Sequence, residues 1–255
     1  MAYREAILAD SPAGYYRLDE ASGATFADSS GNGHSLTFSN ASGFSYSQAG
    51  LLTGDLNTAI KKGDVTTSFT GTVVSPPSSI VGGFSLEGWF NCSALPGGGY
   101  SQSGYFIHIT AGSYTWDVQL YSSSSGAALQ IRTSFNRVDA YIAGVVVPAT
   151  RYYIAIVFNN IHLDVYLNNT RYQHIARTDN YSGAVSVFNL LGFASKFTNT
   201  TLDEFAYYTR ALTTDEMTEH YGYGNGSLID CRGDCRPILR PRFNPTAQSI
   251  HRLGL

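Results

Sequence analysis

Three side chains with oxygen donors, Asp28, Asn32 and Asp203, have the residue types that a hard cation such as Ca²⁺ prefers. Asp28 and Asn32 belong to a Gly-rich loop, and Asp203 begins a late segment of strand-like alternation. In a strand, Asp203, Phe205 and Tyr207 would share one face, so core-facing aromatics would turn the Asp203 carboxylate inward, where it needs a partner. This donor set predicts one structural calcium ion. The alternative is that Asp28 caps its own turn and Asp203 accepts backbone N–H groups.

Four tyrosines in or beside Gly/Ser-rich loops are candidates for contact with sugar rings. An aromatic face can stack on the apolar face of a sugar while polar neighbours bind its hydroxyl groups. The chain has 18 Tyr and 14 Phe, however, and most of these must fill a core. Glycan binding and ordinary packing therefore both remain open for Tyr100, Tyr105, Tyr114 and Tyr121.

Catalytic patterns are absent from the sequence. It contains neither a G-x-S-x-G nucleophile elbow nor an E-x-D-x-E strand, and its six His lack a Ser or Cys partner at a recognisable spacing. Asp203 and Glu204 are adjacent in a predicted strand and should point to opposite faces, which excludes a carboxylate pair. We therefore expect no enzymatic activity.

The three cysteines predict little chemistry. Cys92 has a strand-like context that favours a buried, small apolar residue. Cys231 and Cys235 flank Arg232-Gly233-Asp234 and could close a small disulfide loop or remain reduced, and as a lone pair they are a weak zinc signal. The Arg-Gly-Asp tripeptide matches an integrin motif, and we interpret it as a chance match within a turn.

The elements that must position these residues are predicted to be strands. High Tyr, Ser, Thr and Gly with only 3 Lys favours strands and turns over helices. Thr213 and Glu216 fit a capping box, which predicts one short helix over 216–220. The pattern indicates an all-β antiparallel β-sandwich, or jelly roll. The predicted strands are 14–18, 84–90, 105–109, 115–120, 152–158, 162–168 and 203–208.

Charge divides the chain into a domain, 1–221, and an extended basic arm, 222–255. The formal charge of the whole chain is −3; the arm holds five Arg and two Asp, which is +3 and leaves −6 on the domain. A hinge is predicted at 222–226, and three prolines keep the rest extended. Such an arm tends to order on a partner, although a disordered terminus is the alternative. The anchoring candidates are Arg232, Arg236, Arg240, Arg242 and Arg252.

Collinear segments between about residues 3 and 221 resemble the laminin G-like jelly rolls of the concanavalin A-like superfamily. Tyr16 stands where that family usually has Trp, and 91–144 carries little family signal. The resemblance implies a concanavalin A-like sandwich with a structural calcium between the first loop and the last strand. The matching segments are 13–20, the loop 28–33, 50–60, 84–90 ("F-s-l-e-x-W"), 151–170 and 202–213 ("i-D-E-v-a-v-Y-x-r-a-L-s").

The opening Ala-Asp-Ser-Pro-Ala-Gly-Tyr, without a visible signal peptide, resembles domains of bacteriophage tail and virion proteins. The resemblance implies a non-enzymatic virion structural protein, in the tail or decorating the capsid, made in the host cytoplasm. Its arm would bind other virion subunits, its loops could contact host surface glycans, and a homo-oligomer such as a trimer would suit this role. The alternatives are a secreted or cell-surface bacterial lectin and a polysaccharide-cleaving enzyme.

Two classes of partner are excluded by composition. A net charge of −3 argues against a globally basic nucleic-acid binder. No segment approaches the roughly 20 consecutive apolar residues that a membrane-spanning helix requires. We therefore expect neither nucleic-acid nor membrane binding.

Overall fold

The computed structural model describes residues 2–63, 70–93, 104–112, 114–122, 129–135, 138–176, 184–192, 199–230 and 236–237. Within these ranges the chain is mostly β-structure with two helices, and neither helix is long and apolar enough to span a membrane. In chain order the elements are α1 (Ala2–Ala9), β1 (Gly14–Tyr16), β2 (Thr25–Phe26), β3 (Leu36–Phe38), β4 (Phe44–Ala49), β5 (Thr58–Lys62), β6 (Gly71–Val73), β7 (Phe84–Cys92), β8 (Gly104–Ala111), β9 (Tyr114–Ser122), β10 (Leu129–Phe135), β11 (Val138–Val146), β12 (Arg151–Phe158), β13 (His162–Leu167), β14 (Thr170–Ala176), β15 (Val185–Leu190), β16 (Thr200–Tyr208), α2 (Thr214–Asn225), β17 (Ile229–Asp230) and β18 (Arg236–Pro237).

Two antiparallel sheets form the sandwich. Sheet A has the strand order β14-β13-β12-β7-β16-β5-β4, and β1 also pairs with β16. Sheet B has the order β11-β10-β9-β8-β15-β6-β3-β2. This arrangement confirms the predicted all-β antiparallel sandwich of the concanavalin A-like jelly-roll type.

The main core lies between the two sheets and follows the two-residue period of the strands. Leu163, Val165 and Leu167 of β13 face it, as predicted from their alternation. Trp116 and Val118 of β9 face it from sheet B. Residues that alternate with these point away from the core, so the outer face of each sheet can be identified from the sequence of each strand.

A second apolar layer covers the outer face of sheet A. Tyr3 and Ile7 of α1 and Met217 of α2 pack there against buried residues of the sheet, among them Trp89 and Tyr153. The spacing of the buried α1 residues is that of one helix face. Sequence reasoning predicted no helix at this position.

Helix α2 begins at the predicted capping box. The Thr213 hydroxyl accepts from the Glu216 N–H at 3.2 Å, and the Glu216 carboxylate accepts from the Thr213 N–H at 2.8 Å. The helix continues to Asn225 and is capped by Gly226 at φ 84°. The predicted hinge at 222–226 is therefore wrong, and the predicted domain boundary at 221 falls inside the helix.

Close packing explains the glycines that suggested a hinge. A Cβ on Gly224 would lie 2.2 Å from Cζ2 of Trp89, so a glycine lets the last turn of α2 approach the sheet. Beyond the helix, β17 and β18 pair around 231–235. Of the five arginines of the arm, only the backbone of Arg236 lies within the described residues; Arg232, Arg240, Arg242, Arg252 and both arm cysteines lie outside them.

Candidate functional site

The outer face of sheet B carries polar side chains that are largely buried. His108 of β8, Gln119 of β9 and Asn189 of β15 are 8%, 1% and 6% exposed. The neighbours of each residue along its strand face the core, so these three side chains lie on the opposite face. Buried polar groups on an outer sheet face are more informative than buried apolar ones, because their burial costs free energy unless they are paired.

His108 is paired with Asp117 of β9, its cross-strand neighbour. Nδ1 of His108 lies 2.5 Å from Oδ1 of Asp117, and the two side chains are 11% and 15% exposed. The ring of Tyr105 meets the imidazole edge to face, with the ring centroids 6.0 Å apart. A carboxylate, an imidazole and a half-buried aromatic ring therefore form one group, which we call the outer-face cluster together with Gln119 and Asn189.

Gln119 is the unusual member of the outer-face cluster. Its side-chain amide is buried, yet neither Oε1 nor Nε2 has a hydrogen-bond partner within the part of the chain that the structure describes. Leaving a buried donor or acceptor unsatisfied costs about 1–3 kcal/mol. Gln119 is flanked across the sheet by Tyr105 on β8 and by the backbone position of Arg132 on β10. Gln119 therefore has hydrogen-bonding capacity that no described group uses.

Only one of the four tyrosines predicted to bind glycans can be placed. Tyr105 belongs to the outer-face cluster. Tyr114 and Tyr121 are the first and eighth residues of β9, but their side chains lie outside the described part, and so does all of Tyr100. The polar members of the cluster were missed, although each falls at an outward position of a strand.

A β-bulge changes the predicted arrangement of the carboxylates on β16. The pairing of β16 with β7 shifts register between Asp203 and Ala206, and Glu204 has φ 53°, in the left-handed region. Leu202 and Phe205 face the core, while Asp203 and Glu204 both contact groups on the outer side of sheet A. The predictions that Asp203 shares a face with Phe205 and Tyr207, and that it points away from Glu204, are therefore wrong, because the extra residue of a bulge resets the alternation.

The two carboxylates have different partners. Glu204 accepts hydrogen bonds from the Tyr15 hydroxyl, from Arg17 at 2.9 and 3.0 Å and from Asn57 Nδ2 at 2.9 Å. Asp203 accepts only the Leu51 N–H, at 2.7 Å, and its other oxygen has no described partner. Burial, followed by the nearby charge of Glu204, raises the pKa of Asp203 well above its ordinary value.

The structure gives each predicted calcium ligand a hydrogen-bond partner within the protein. Asp28 Oδ1 accepts the Tyr15 and Ser30 N–H groups and Oδ2 accepts that of His34, all at 2.9 Å. The Asn32 amide nitrogen donates to the carbonyl of Pro12 at 3.0 Å. No group of three or more His, Cys, Asp or Glu within the described ranges is arranged to hold a metal. Both alternatives, a cap at Asp28 and a backbone bond at Asp203, are present.

Replacing Asp203 with asparagine is expected to stabilise the protein at pH 7. The pKa of Asp203 is higher in the folded than in the unfolded protein. The stabilisation by this group is therefore fully present below about pH 4 and is lost as the pH rises through the folded-state pKa. Asparagine stays neutral, so the unfolding free energy should rise by on the order of 1 kcal/mol at pH 7 and the gain should vanish near pH 4. Urea titrations at both pH values measure this difference.

Asp28→Asn is the matched control for that substitution. Burial opposes ionisation of Asp28, but hydrogen bonds from Ser30, Tyr15 and His34 outweigh it and lower its pKa. The stabilisation that the Asp28 carboxylate gives the folded protein is therefore present above its unfolded-state pKa and is lost at low pH. Asp28→Asn should accordingly lower the unfolding free energy at pH 7. A loss of stability in Asp203→Asn at pH 7 would contradict the assignment of a neutral, buried carboxyl.

A separate buried network joins the helices to sheet A. Glu87 of β7 is fully buried and accepts from the hydroxyls of Tyr153 and, at 2.5 Å, Tyr208. Its carboxylate lies 2.9 Å from Nδ1 of His220, whose Nε2 lies 2.9 Å from Asp10. Burial opposes protonation of His220, but the Glu87 charge and hydrogen bonds to Asp10 and Glu87 outweigh it and raise its pKa to about 10. This network is closed to solvent, so its role is structural.

Comparisons with known proteins establish the fold. No family model and no curated protein matches the chain. The ligand-binding domain of botulinum neurotoxin serotype D, solved with N-acetylneuraminic acid, matches with a TM-score of 0.60 and 12% identity over 88% of this chain and 56% of that one. A sialidase of Trypanosoma rangeli, solved with sialic acid, matches with a TM-score of 0.57 and 14% identity over 82% of this chain and 32% of that one.

The same fold recurs in the receptor-binding domain of the botulinum neurotoxin C/D mosaic serotype. That match has a TM-score of 0.57 and 12% identity, and it covers 85% of this chain and 55% of the other. The chain thus spans about half the length of the toxin domains and about a third of the sialidase. At these identities the likeness shows a shared concanavalin A-like β-sandwich fold and no more.

Proposed function

We propose that this protein is a carbohydrate-binding domain that holds a glycan on the outer face of sheet B, without catalysis. The observation that carries the proposal is Gln119, a side chain 1% exposed whose amide has no described partner and which lies on the same face as the His108–Asp117 pair. A ligand that completed the hydrogen bonds of this amide would offset the cost of leaving it unsatisfied.

The chemistry of the outer-face cluster suits sugar hydroxyls. The amides of Gln119 and Asn189 each offer a donor and an acceptor, and the Asp117 carboxylate offers acceptors only. The pairing with His108 fixes the orientation of that carboxylate. The half-buried Tyr105 ring at the margin of the cluster can stack on the apolar face of a sugar. Hydroxyl groups that both donate and accept match this mixture better than a purely anionic or apolar ligand would.

The comparisons with solved structures support the proposal through the shared fold. Two of the structural neighbours were solved with N-acetylneuraminic acid or sialic acid. Only 56% and 32% of those chains are matched, so their sugar binding is known for the larger proteins and not for the matched portion. Sialylated glycans are therefore one class to include in a screen, and the outer-face cluster defines where binding is expected.

Gln119→Leu is expected to remove glycan binding and to stabilise the fold. The hydrophobic isostere cannot bond sugar hydroxyls, so affinity should fall at least about 10-fold, the equivalent of 1.4 kcal/mol. Removing an unpaired buried amide should raise the unfolding free energy by about 1 kcal/mol. A glycan array that includes sialylated, neutral and amino-sugar glycans measures binding, and urea denaturation measures stability.

Gln173→Leu provides the matched control, because Gln173 is a 7% exposed glutamine on β14 of sheet A. Its substitution should leave the glycan profile unchanged. The proposal fails if the wild type binds no glycan, or if Gln119→Leu binds as strongly as Gln173→Leu does. Sugar release from bound glycans would contradict the non-catalytic part of the proposal.

The biological setting rests on the sequence resemblance. We propose that the domain belongs to a bacteriophage virion, presents its ligand face to host surface glycans and is anchored to other virion subunits through the arginines of the arm. A secreted or cell-surface bacterial lectin is the alternative, and it would use the same ligand face. Sugar binding by the outer-face cluster does not depend on which setting applies.

A further inference from the structure

We infer that the ligand is a linear oligosaccharide that lies across the strands of sheet B, and not a single terminal sugar. This inference rests on the proposed function and extends it to the length and direction of the ligand. Three observations support it: a continuous polar row across the sheet, the length of that row and the Gln119 amide beside it, which has no described partner.

A single row of registered residues crosses the whole of sheet B. Each member is the direct antiparallel partner of the next, and directly opposed residues lie on the same face of a sheet. Backbone register continues the row to Ser134 on β10 and Asp139 on β11. The members with described side chains are Thr25, Thr37, Thr72, Asn189, His108 and Asp117.

Every one of these six residues is polar, and none carries the long aliphatic chain of Lys or Glu. Their neighbours along each strand, such as Phe26, Leu36 and Val73, belong to the core, so the row lies on the outer face. Together the six supply hydroxyl, amide, imidazole and carboxylate groups, so the row contains both hydrogen-bond donors and acceptors. A chain of sugars presents hydroxyl groups at every unit and would match such a row along its length.

The length of the row exceeds one sugar ring. Neighbouring strands lie about 4.7–4.9 Å apart, so the five steps from Thr25 to Asp117 cover roughly 24 Å. One pyranose ring could contact only two adjacent members of the row. Contact along the entire row therefore requires several linked units, running perpendicular to the strands.

The members of the row differ in exposure. Thr25 and Thr72 are exposed, Thr37 and Asp117 are half-buried, and Asn189 and His108 are buried. Gln119, whose amide has no described partner, lies two residues from Asp117 on the same face. A chain with one end recognised at Asp117 and Gln119 would extend over the open surface at Thr72 and Thr37.

The test is a chain-length series measured by titration calorimetry on the whole protein. The probes are chito-, cello- and α2,8-linked N-acetylneuraminic acid oligomers of one to six units. In the series that binds, affinity should rise at least 10-fold between the monomer and the tetramer. Thr72→Val should weaken tetramer binding about 5-fold and leave monomer binding unchanged, whereas Gln119→Leu should weaken both.

Thr170→Val is the control, because Thr170 is an exposed strand threonine at the edge of sheet A; it should behave as the wild type does. Equal affinity for monomer and tetramer, or an unchanged tetramer affinity in Thr72→Val, would overturn the extended ligand while leaving sugar binding intact. Absence of binding in every series and on the glycan array would overturn the proposed function itself. Thermal melting of each variant separates loss of binding from loss of folding.

Discussion

Replacing Glu87 with alanine is expected to lower the unfolding free energy by about 3–5 kcal/mol, because it removes one partner of a buried ion pair. The Glu87 carboxylate lies 2.9 Å from the imidazole of His220 and accepts the hydroxyls of Tyr153 and Tyr208. In the variant both hydroxyls lose their acceptor, and the protonated imidazole keeps only Asp10. Most domains are stable by only 5–15 kcal/mol, so the variant should be partly unfolded at growth temperature.

Two further substitutions make that result interpretable. Glu87→Gln keeps the size and an acceptor oxygen but not the charge, and it should lose less stability than Glu87→Ala. Glu5→Ala, at an exposed position of α1, should change the unfolding free energy by no more than about 0.5 kcal/mol. Urea denaturation midpoints measure all three. A Glu87→Ala variant as stable as Glu5→Ala would show that the network contributes nothing to holding the helices on sheet A.

Raising the pH from 7 to 10 is expected to destabilise the protein through His220. The folded-state pKa of His220 is about 10, against about 6.5 for an unperturbed histidine. Because the folded pKa is the higher one, the stability due to this group is fully present below pH 6.5 and is lost as pH rises through about 10. The melting temperature should therefore fall steadily between pH 7 and pH 10.

His220→Gln should remove this alkaline dependence while lowering stability at pH 7. The wild type and His220→Gln should be compared between pH 7 and 9.5. Burial also raises the pKa of Tyr15 and Tyr153, and ionisation of these tyrosines would add a further loss of stability at higher pH. Differential scanning calorimetry at half-unit intervals measures both slopes. If wild type and His220→Gln show the same slope, the buried imidazole is not the group that titrates.

The fold was predictable because its signals are local. Alternation identified β13 and its inward residues, and a near-continuous apolar run identified β12 as a central strand. The capping box at Thr213 placed the start of α2. Its end was missed because Gly222 and Gly224 suggest flexibility in sequence, whereas in the fold they permit contact with Leu228 and Trp89.

The carboxylates of β16 were predicted incorrectly for a physical reason. Strand alternation holds only while the register is regular, and a non-glycine residue at positive φ, such as Glu204, carries no signal in the sequence. The bulge is stabilised by distant residues, since Arg17 and Asn57 both bind the Glu204 carboxylate. Only the assembled sheet reveals that Asp203 and Glu204 share a face.

The candidate site depends even more on long-range pairing. His108 and Asp117 were assigned to neighbouring strands, so their contact could have been found from the hairpin register. The pairing of Asn189 with His108 and with Thr72 joins strands that are far apart in the chain. No local pattern specifies those partners, and the polar row exists only because the sheet order brings them together.

Helices α1 and α2 cover the outer face of sheet A, which determines how the domain is oriented when it is attached to something larger. The inner faces of the two sheets pack against each other, so the helices on sheet A and the polar row on sheet B lie on opposite outer faces of the sandwich. A neighbour that packed on the helices would leave the outer face of sheet B uncovered, and several copies held together would combine weak individual contacts into avid attachment.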